Sequence, residues 1–161
     1  MITLCDTPMH ASHSSAKSLG KFYPSRFHEI TIAIELDNWL RARGIASARL
    51  MTSKGRLPIQ VRCPEDHIRI STTDVVVSQW HRDGLGKLAL DRDAVPAIKW
   101  IITWSNGAPT ELIDCLGTIL VFEPHDVVLF DNHTIRHRCP PTEDGRWFVR
   151  LEEPCISPDI V

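Results

Sequence analysis

A histidine and an aspartate two residues apart, His81 and Asp83, lie at the centre of the segment SQWHRDGLG. If the preceding run TDVVVSQWH is a β-strand that continues to Asp83, both side chains point to the same face of the sheet. Their Cβ atoms would then lie roughly 6–7 Å apart, so an imidazole and a carboxylate could bind one metal ion. Because the chain has eight histidines, such a pair also arises by chance, and a third ligand is needed to indicate a site.

The same segment reads His-Arg-Asp, which opens the catalytic loop of protein kinases. A kinase loop requires an asparagine five residues after the aspartate to bind a metal ion, and this chain has Leu88 at that position. The sequence also lacks the glycine-rich phosphate-binding loop, and 161 residues are too few for the two lobes of a kinase. The sequence therefore argues against phosphoryl transfer.

Candidates for the third ligand lie in the C-terminal half, at His125, His133 and His137. Two histidines and one carboxylate on one side of an octahedron, with the other positions open, form the metal site of non-heme Fe(II) oxygenases. On one strand His133 and His137 would share a face but lie about 13 Å apart, so only one of them can join the pair. His125 falls in a predicted turn, where an exposed histidine needs no metal to explain it. The residues alone leave the distal ligand open.

Three motifs along the chain resemble those of the Fe(II)/2-oxoglutarate-dependent oxygenases. Trp80-His81-Arg82-Asp83 is similar to the W-H-x-D motif of the taurine-dioxygenase-like and butyrobetaine-hydroxylase-like branch. Phe130-Asp131-Asn132 followed by His137 is similar to the D-N-x-x-x-x-H motif of that branch. Arg146-Trp147-Phe148-Val149-Arg150 is similar to its R-x-x-x-R motif. The resemblance covers about residues 74 to 152. The short stretch of 53 residues between Asp83 and His137 looks more like the compact core of prolyl-hydroxylase-like members.

The resemblance implies a metal site and selects its members. Fe(II) would be bound by His81, Asp83 and His137, so the family motif favours His137 over His133 as the distal ligand. The cosubstrate 2-oxoglutarate would fill two open positions on the iron and O2 the last one. Asp131 and Asn132 would either cap a turn or hold His137 in the tautomer that binds metal.

The resemblance also assigns the two arginines of the last motif. Arg150 would bind the distal carboxylate of 2-oxoglutarate, and Arg146 would make a secondary contact with the substrate or the near carboxylate. A buried carboxylate is costly unless it is paired, and an arginine fork pairs it through two hydrogen bonds. On a strand the two arginines would point inward together, whereas Trp147, Val149 and Leu151 would face the other way.

The implied activity is that of a dioxygenase. It would oxidise, by hydroxylation or a related reaction, a C–H bond of a small molecule such as an amino acid or a natural-product intermediate, with release of succinate and CO2. Two alternatives stay open: a cupin-type metal enzyme that does not use 2-oxoglutarate, although the H-x-H motif of cupins is absent from the sequence, and a non-catalytic jelly-roll binding protein. The N-terminal arm, a second copy in a homodimer or a carrier-bound substrate would complete the pocket.

Composition predicts the setting of this site. The chain is 43% hydrophobic and 24% charged, as in soluble globular proteins, and we expect one domain over residues 1–161. It has no apolar run of membrane-spanning length, no signal-peptide pattern and no nucleic-acid-binding motif. Its five cysteines form no C-x-x-C pair, which favours reduced thiols. We therefore expect a cytoplasmic protein that binds neither membrane nor nucleic acid.

The elements that position these residues follow from periodicity. Residues 1–22 are aperiodic and predict a flexible arm or lid. Phe27, Ile30, Ile34 and Leu40 recur at near-helical intervals before Gly44 and predict a helix within 25–44. Over 57–153, eight short runs predict strands, namely LPIQVRC, TDVVVSQWH, AIKWIITW, TELIDC, GTILVFEP, DVVLFDN, TIRHRC and RWFVRLEE. The sequence thus predicts a mainly β protein with an N-terminal helix, and the family resemblance implies a double-stranded β-helix (jelly roll, cupin-like).

Overall fold

The computed structural model describes residues 2–3, 16–46, 60–62, 80–85, 91, 93–107, 109–138, 147–152 and 154–156. Arg146 and residues 74–79 of the predicted strand before His81 lie outside these ranges.

The described residues form one α-helix and eleven β-strands. The helix is α1 (Glu29–Arg41), and the strands are β1 (Ile2–Thr3), β2 (Ala16–Lys21), β3 (Ile45–Ala46), β4 (Gln60–Arg62), β5 (Trp100–Ser105), β6 (Thr110–Ile113), β7 (Ile119–Phe122), β8 (Asp126–Asp131), β9 (Arg136–Arg138), β10 (Phe148–Glu152) and β11 (Cys155–Ile156). Strands β4 to β10 coincide with seven of the predicted runs. The prediction of a mainly β protein with an N-terminal helix is confirmed.

Two principal antiparallel sheets organise these strands. One sheet has five strands in the order β2-β8-β5-β10-β4, and the other has three in the order β7-β6-β9. A small third sheet joins β1, β11 and β3. Along the chain, β5 belongs to the five-stranded sheet, β6 and β7 to the three-stranded one, and β8, β9 and β10 alternate between the two. The chain therefore crosses repeatedly from one sheet to the other.

Helix α1 covers one face of the five-stranded sheet. Its side chains Ile32, Leu36 and Leu40 recur every four residues and are fully buried, which makes them one apolar stripe. They belong to a core cluster with sheet residues Trp100, Ile102, Trp104, Val127, Leu129, Val149 and Leu151. Across the described residues, no helix combines the length and apolar character that crossing a bilayer requires.

The buried face of α1 contains only part of the apolar spacing that predicted the helix. Of those four residues Leu40 is buried, whereas Phe27, Ile30 and Ile34 have exposed fractions of 51%, 50% and 54%. The helix carries apolar residues on two sides, and tertiary packing decides which side is buried. The helix begins at Glu29 and ends at Arg41, within the predicted range of 25–44.

Side chains of the central strand β5 alternate between two cores. Trp100, Ile102 and Trp104 pack on the helix side. Ile101 points the other way, into a second cluster that joins both sheets and includes Leu112, Val128, Phe130 and Ile135. All six residues of β5 are buried, so this strand has no solvent face. The space between the two sheets is where the candidate site lies.

The N-terminal segment departs from the predicted arm or lid. Residues 16–21 form β2, which pairs antiparallel with β8 from Ala16↔Phe130 to Lys21↔Asp126. The Trp104 indole N–H donates a hydrogen bond of 3.1 Å to the Phe22 carbonyl just after this strand. The arm prediction is therefore wrong for residues 16–21, because backbone pairing with β8 supplies order that the sequence pattern does not show.

Two isoleucines on the same helix test this packing. We expect Ile32→Ala to lower the free energy of unfolding by about 2–5 kcal/mol, because it leaves a cavity in the core. The matched variant Ile34→Ala, at a half-exposed position, should change it by no more than about 0.5 kcal/mol. Urea unfolding followed by tryptophan fluorescence measures both values. Equal losses in the two variants would contradict the placement of the buried face.

Candidate metal centre

A backbone bridge brings the two candidate histidine ligands together. The His81 N–H donates to the His137 carbonyl over 3.1 Å, and the His137 N–H donates to the His81 carbonyl over 2.9 Å. His137 lies on β9, so this bridge adds His81 to the edge of the three-stranded sheet. Residues directly opposite in an antiparallel pair share a face, and the two imidazole centroids lie 4.4 Å apart.

Asp83 reaches the same point from a turn rather than from a continuing strand. The backbone turns at Asp83 and Gly84, and Gly84 has a φ of 83°, in the region that favours glycine. A Cβ at that position would also lie 3.0 Å from the Ile98 Cδ1 atom. The prediction that Asp83 shares a strand face with His81 is therefore wrong in its backbone geometry. The prediction that the two side chains meet is confirmed.

The three side chains form one compact donor set. The Asp83 Oδ1 atom lies 3.4 Å from the Nε2 atoms of both His81 and His137. One ligand atom from each residue lies within 4.8 Å of the other two, and in the described part of the chain no other group of three candidate ligands does so. Two imidazoles and one carboxylate converging from one side are the donor set of a facial triad. These residues fit a divalent first-row transition-metal ion.

Burial and charge set the protonation of the donor set. Burial alone would raise the pKa of Asp83, but the neighbouring His137, hydrogen bonds from both histidines and the charge of Arg150 together hold it well below its ordinary value of 3.8. Burial lowers the pKa of His137 below its ordinary value of 6.5; Asp83 opposes this shift, and the charges of His81 and Arg150 add to it. At neutral pH Asp83 is therefore ionised and His137 neutral, the forms that bind metal.

Arg150 extends the site from the facing sheet. It lies on β10 directly opposite Thr103 of β5, whereas its neighbours Val149 and Leu151 pack on the helix side. Its Nη1 atom lies 3.2 Å from the Asp83 Oδ2 atom, and its Nη2 atom pairs with Glu152. The inward orientation predicted for Arg150 is confirmed. Arg146, its predicted companion, lies outside the described residues.

Two polar atoms beside this contact have no partner. The Arg150 Nε atom and the Thr103 hydroxyl are both buried without a hydrogen bond. Because these residues are paired across β10 and β5, their side chains share one face of the five-stranded sheet. Buried polar groups are usually satisfied, so these two groups are candidates to hydrogen-bond a polar ligand.

Asp131 and Asn132 have different roles: Asp131 caps a turn, and Asn132 contacts Asp83. The Asp131 Oδ1 atom accepts a hydrogen bond of 2.9 Å from the His133 N–H, so the turn-capping alternative is confirmed. The Asn132 side chain contacts the backbone of Asp83. The His137 Nδ1 atom is buried without a hydrogen bond, so the alternative in which this pair fixes the His137 tautomer is wrong. The contact with Asp83 was missed because no local motif links residues 49 positions apart.

The other two candidate histidines lie apart from the donor set. His133 is in the turn after β8, and with Arg82 and Arg136 it lines a separate cavity of about 500 Å³. His125 has a φ of 73° in the turn before β8, and its ring lies 4.6 Å from that of Tyr23. The structure thus gathers His81, Asp83 and His137, and it places His133 and His125 elsewhere.

Comparison with models of known protein families, with curated proteins and with solved structures found no match.

Two histidine variants test the donor set. We expect His137→Ala to weaken Co(II) binding by more than about 100-fold, beyond the roughly 10–100-fold typical of losing an outer hydrogen-bond partner of a ligand. His133→Ala removes an imidazole four residues away and should leave the affinity within about threefold, because that ring lies outside the group. Titration followed by the visible absorption of Co(II) measures both. The opposite ranking would identify His133 as the ligand.

The pKa shifts predict how acid affects the metal-free protein. The folded-state pKa values of His137 and Asp83 are both lowered, so the unfolded chain binds protons more readily than the folded one. The free energy of unfolding should therefore fall as the pH drops below about 6.5, where the unfolded histidine begins to protonate, and fall further below about 3.8.

Denaturant unfolding at pH 7.5 and 5.0 measures the histidine part of this effect. His137→Gln should flatten the decrease between those pH values, whereas His28→Gln, at an exposed position before α1, should retain it. A decrease that is unchanged in His137→Gln would contradict the assigned shift.

Proposed function

We propose that this protein is an Fe(II)- and 2-oxoglutarate-dependent dioxygenase that oxidises a C–H bond of a small molecule. The observation that carries the proposal is the convergence of His81, Asp83 and His137, with donor atoms within 4.8 Å of one another. Two imidazoles and one carboxylate leave three positions open on an octahedral ion. A bidentate keto acid and O2 require three positions between them.

The strand order supports a double-stranded β-helix for this protein. Strands β4, β5, β8 and β10 lie in one sheet, while β6, β7, β9 and the bridged His81 lie in the other. Apolar residues from both sheets meet in one cluster, as in a jelly roll with two facing sheets. In this arrangement the two histidines belong to one sheet, Asp83 lies in the turn that follows His81, and Arg150 belongs to the other sheet. A ligand between the sheets can therefore contact both sides.

The chain's own residues bind and orient in this proposal. His81, Asp83 and His137 would hold Fe(II), which together with 2-oxoglutarate supplies oxidation by O2 with release of succinate and CO2. The Arg150 Nε–H and the Thr103 hydroxyl, both buried and unpartnered, can donate to the distal carboxylate while Arg150 keeps its contact with Asp83. Phe130, Leu112 and Ile101 line the space between the sheets with apolar surface and limit the access of water.

One observation favours a second candidate, a cupin-type metal enzyme that does not use 2-oxoglutarate. The Arg150 guanidinium already pairs with two carboxylates, those of Asp83 and Glu152. Its charge is therefore compensated before any cosubstrate binds. The two candidates differ in whether a keto diacid binds beside the metal, and this difference can be measured.

Anaerobic spectroscopy distinguishes the two candidates. Fe(II) with 2-oxoglutarate should give a weak visible charge-transfer band in the wild-type protein, and admission of O2 should then yield succinate. Asp83→Ala should lose both signals, because the carboxylate ligand is gone. Fe(II) binding without the band and without succinate would favour the cupin-type enzyme, and absence of Fe(II) binding would favour a non-catalytic binding protein.

A pair of arginine variants tests the cosubstrate site in the same assay. Arg150→Gln should weaken 2-oxoglutarate binding by about 10-fold or more, since a charge-assisted hydrogen bond to a buried carboxylate contributes roughly 1.5–3 kcal/mol. The matched variant Arg138→Gln alters an arginine that pairs with Glu111 at 2.6 Å and stacks on Trp80. Arg138 follows His137 on β9, so its side chain points to the opposite face of that strand. This variant should leave 2-oxoglutarate binding unchanged. Equal effects would remove Arg150 from the cosubstrate site.

A further inference from the structure

Asn132 is a fully buried amide that holds the backbone of a metal ligand. Its Oδ1 atom accepts a hydrogen bond of 3.0 Å from the Asp83 N–H. Its Nδ2 group donates to the Asp83 carbonyl over 2.9 Å and to the Ile98 carbonyl over 3.0 Å. The amide therefore binds both polar backbone groups of Asp83, and its exposed fraction is 0%. This side chain joins three segments of the chain that are distant in sequence.

Arg82, next to Asp83, makes side-chain contacts in the reverse direction. The Arg82 Nη1 group donates a hydrogen bond of 2.8 Å to the His133 carbonyl, next to Asn132. Its Nη2 group donates to the Asp91 carbonyl over 3.2 Å. The Arg82 side chain thus reaches the backbone beside Asn132, and the Asn132 side chain reaches the backbone of Asp83. These contacts and the His81–His137 bridge join the same two segments of the chain.

We propose that Asn132 is the positioning residue of the metal centre, which holds Asp83 in its ligating place before any metal binds. The inference rests on the metal site of the proposed function. Asp83 lies in a turn, where no sheet hydrogen bonds fix its backbone, and Asn132 supplies the two that a strand would give. These hydrogen bonds are all made by protein groups, so in this proposal the donor set is preorganised and metal binding requires little rearrangement.

Asn132 acts on the centre through Asp83 and touches none of the three donor atoms. Asn132→Ala removes all three hydrogen bonds and frees the Asp83 turn. Asn132→Asp keeps the acceptor for the Asp83 N–H but places an oxygen against the carbonyls of Asp83 and Ile98, where a donor is needed. Both variants should weaken metal binding while His81 and His137 remain bridged through their backbones.

Asn106 provides a matched control of the same residue type. Its Oδ1 atom accepts a hydrogen bond of 2.7 Å from the Trp147 N–H, across 41 positions of sequence and between the ends of β5 and β10. Asn106→Ala therefore removes a long-range contact between side chain and backbone, as Asn132→Ala does, but outside the metal centre. It separates a general loss of stability from a loss of ligand position.

The experiment has a metal-free arm and a metal arm. In the metal-free protein, hydrogen exchange of the Asp83 amide, resolved by NMR, should become at least about 10-fold faster in Asn132→Ala and stay unchanged in Asn106→Ala. In the metal arm, the Kd for Co(II) should rise about 10–100-fold in both Asn132 variants, with an altered visible spectrum, and stay within about twofold in Asn106→Ala.

Each outcome decides a different point. Wild-type Co(II) affinity and spectrum in Asn132→Ala, or an equal loss in Asn106→Ala, would overturn the positioning role. If the wild-type protein bound neither Co(II) nor Fe(II), the proposed function would fail. The metal-free arm would then still decide whether Asn132 holds Asp83, because faster exchange confined to the Asp83 turn supports that role and unchanged exchange refutes it.

Discussion

The backbone bridge between His81 and His137 is the constraint on which the rest of the site depends. Two mutual hydrogen bonds join segments that are distant in sequence and fix both imidazoles on one face. Asp83 can complete the donor set only because the chain turns immediately after that bridge, at Gly84. The positions of the three side chains therefore follow mainly from the path of the main chain.

The two faces of the five-stranded sheet differ in character: one packs in the apolar core, and the other carries polar residues. Its helix-facing side holds Trp100, Trp104 and the apolar stripe of α1 and carries much of the described core. Its other side carries the polar residues Thr103 and Arg150, which lie opposite each other on β5 and β10. Burial of the helix-facing side stabilises the five-stranded sheet. The opposite side can therefore retain two buried polar groups without hydrogen bonds, the Thr103 hydroxyl and the Arg150 Nε atom, which are costly to stability.

Local patterns predicted the elements, and long-range packing decided the details. The H-x-D spacing indicated two ligands because both lie in one short segment, and the resemblance supplied His137. The helix was predicted from apolar periodicity, but with Ile30 and Ile34 also apolar, the sequence could not show that Ile32 lies on the buried side. The contact of Asn132 with Asp83 depends on how two sheets and a turn meet. No single stretch of sequence contains that information.

The second apolar cluster has a consequence for how the site can vary. Leu112, Val128 and Phe130 fill the space between the two sheets, and the Phe130 ring lies 4.9 Å from that of His137. The two histidines belong to one sheet and Arg150 to the other, so the size of these apolar side chains helps to set the separation between the guanidinium and the imidazoles. Exchanging these side chains for larger or smaller ones would therefore shift the histidines relative to Arg150 without altering any polar residue, so the apolar core and the polar groups are coupled through the distance between the sheets.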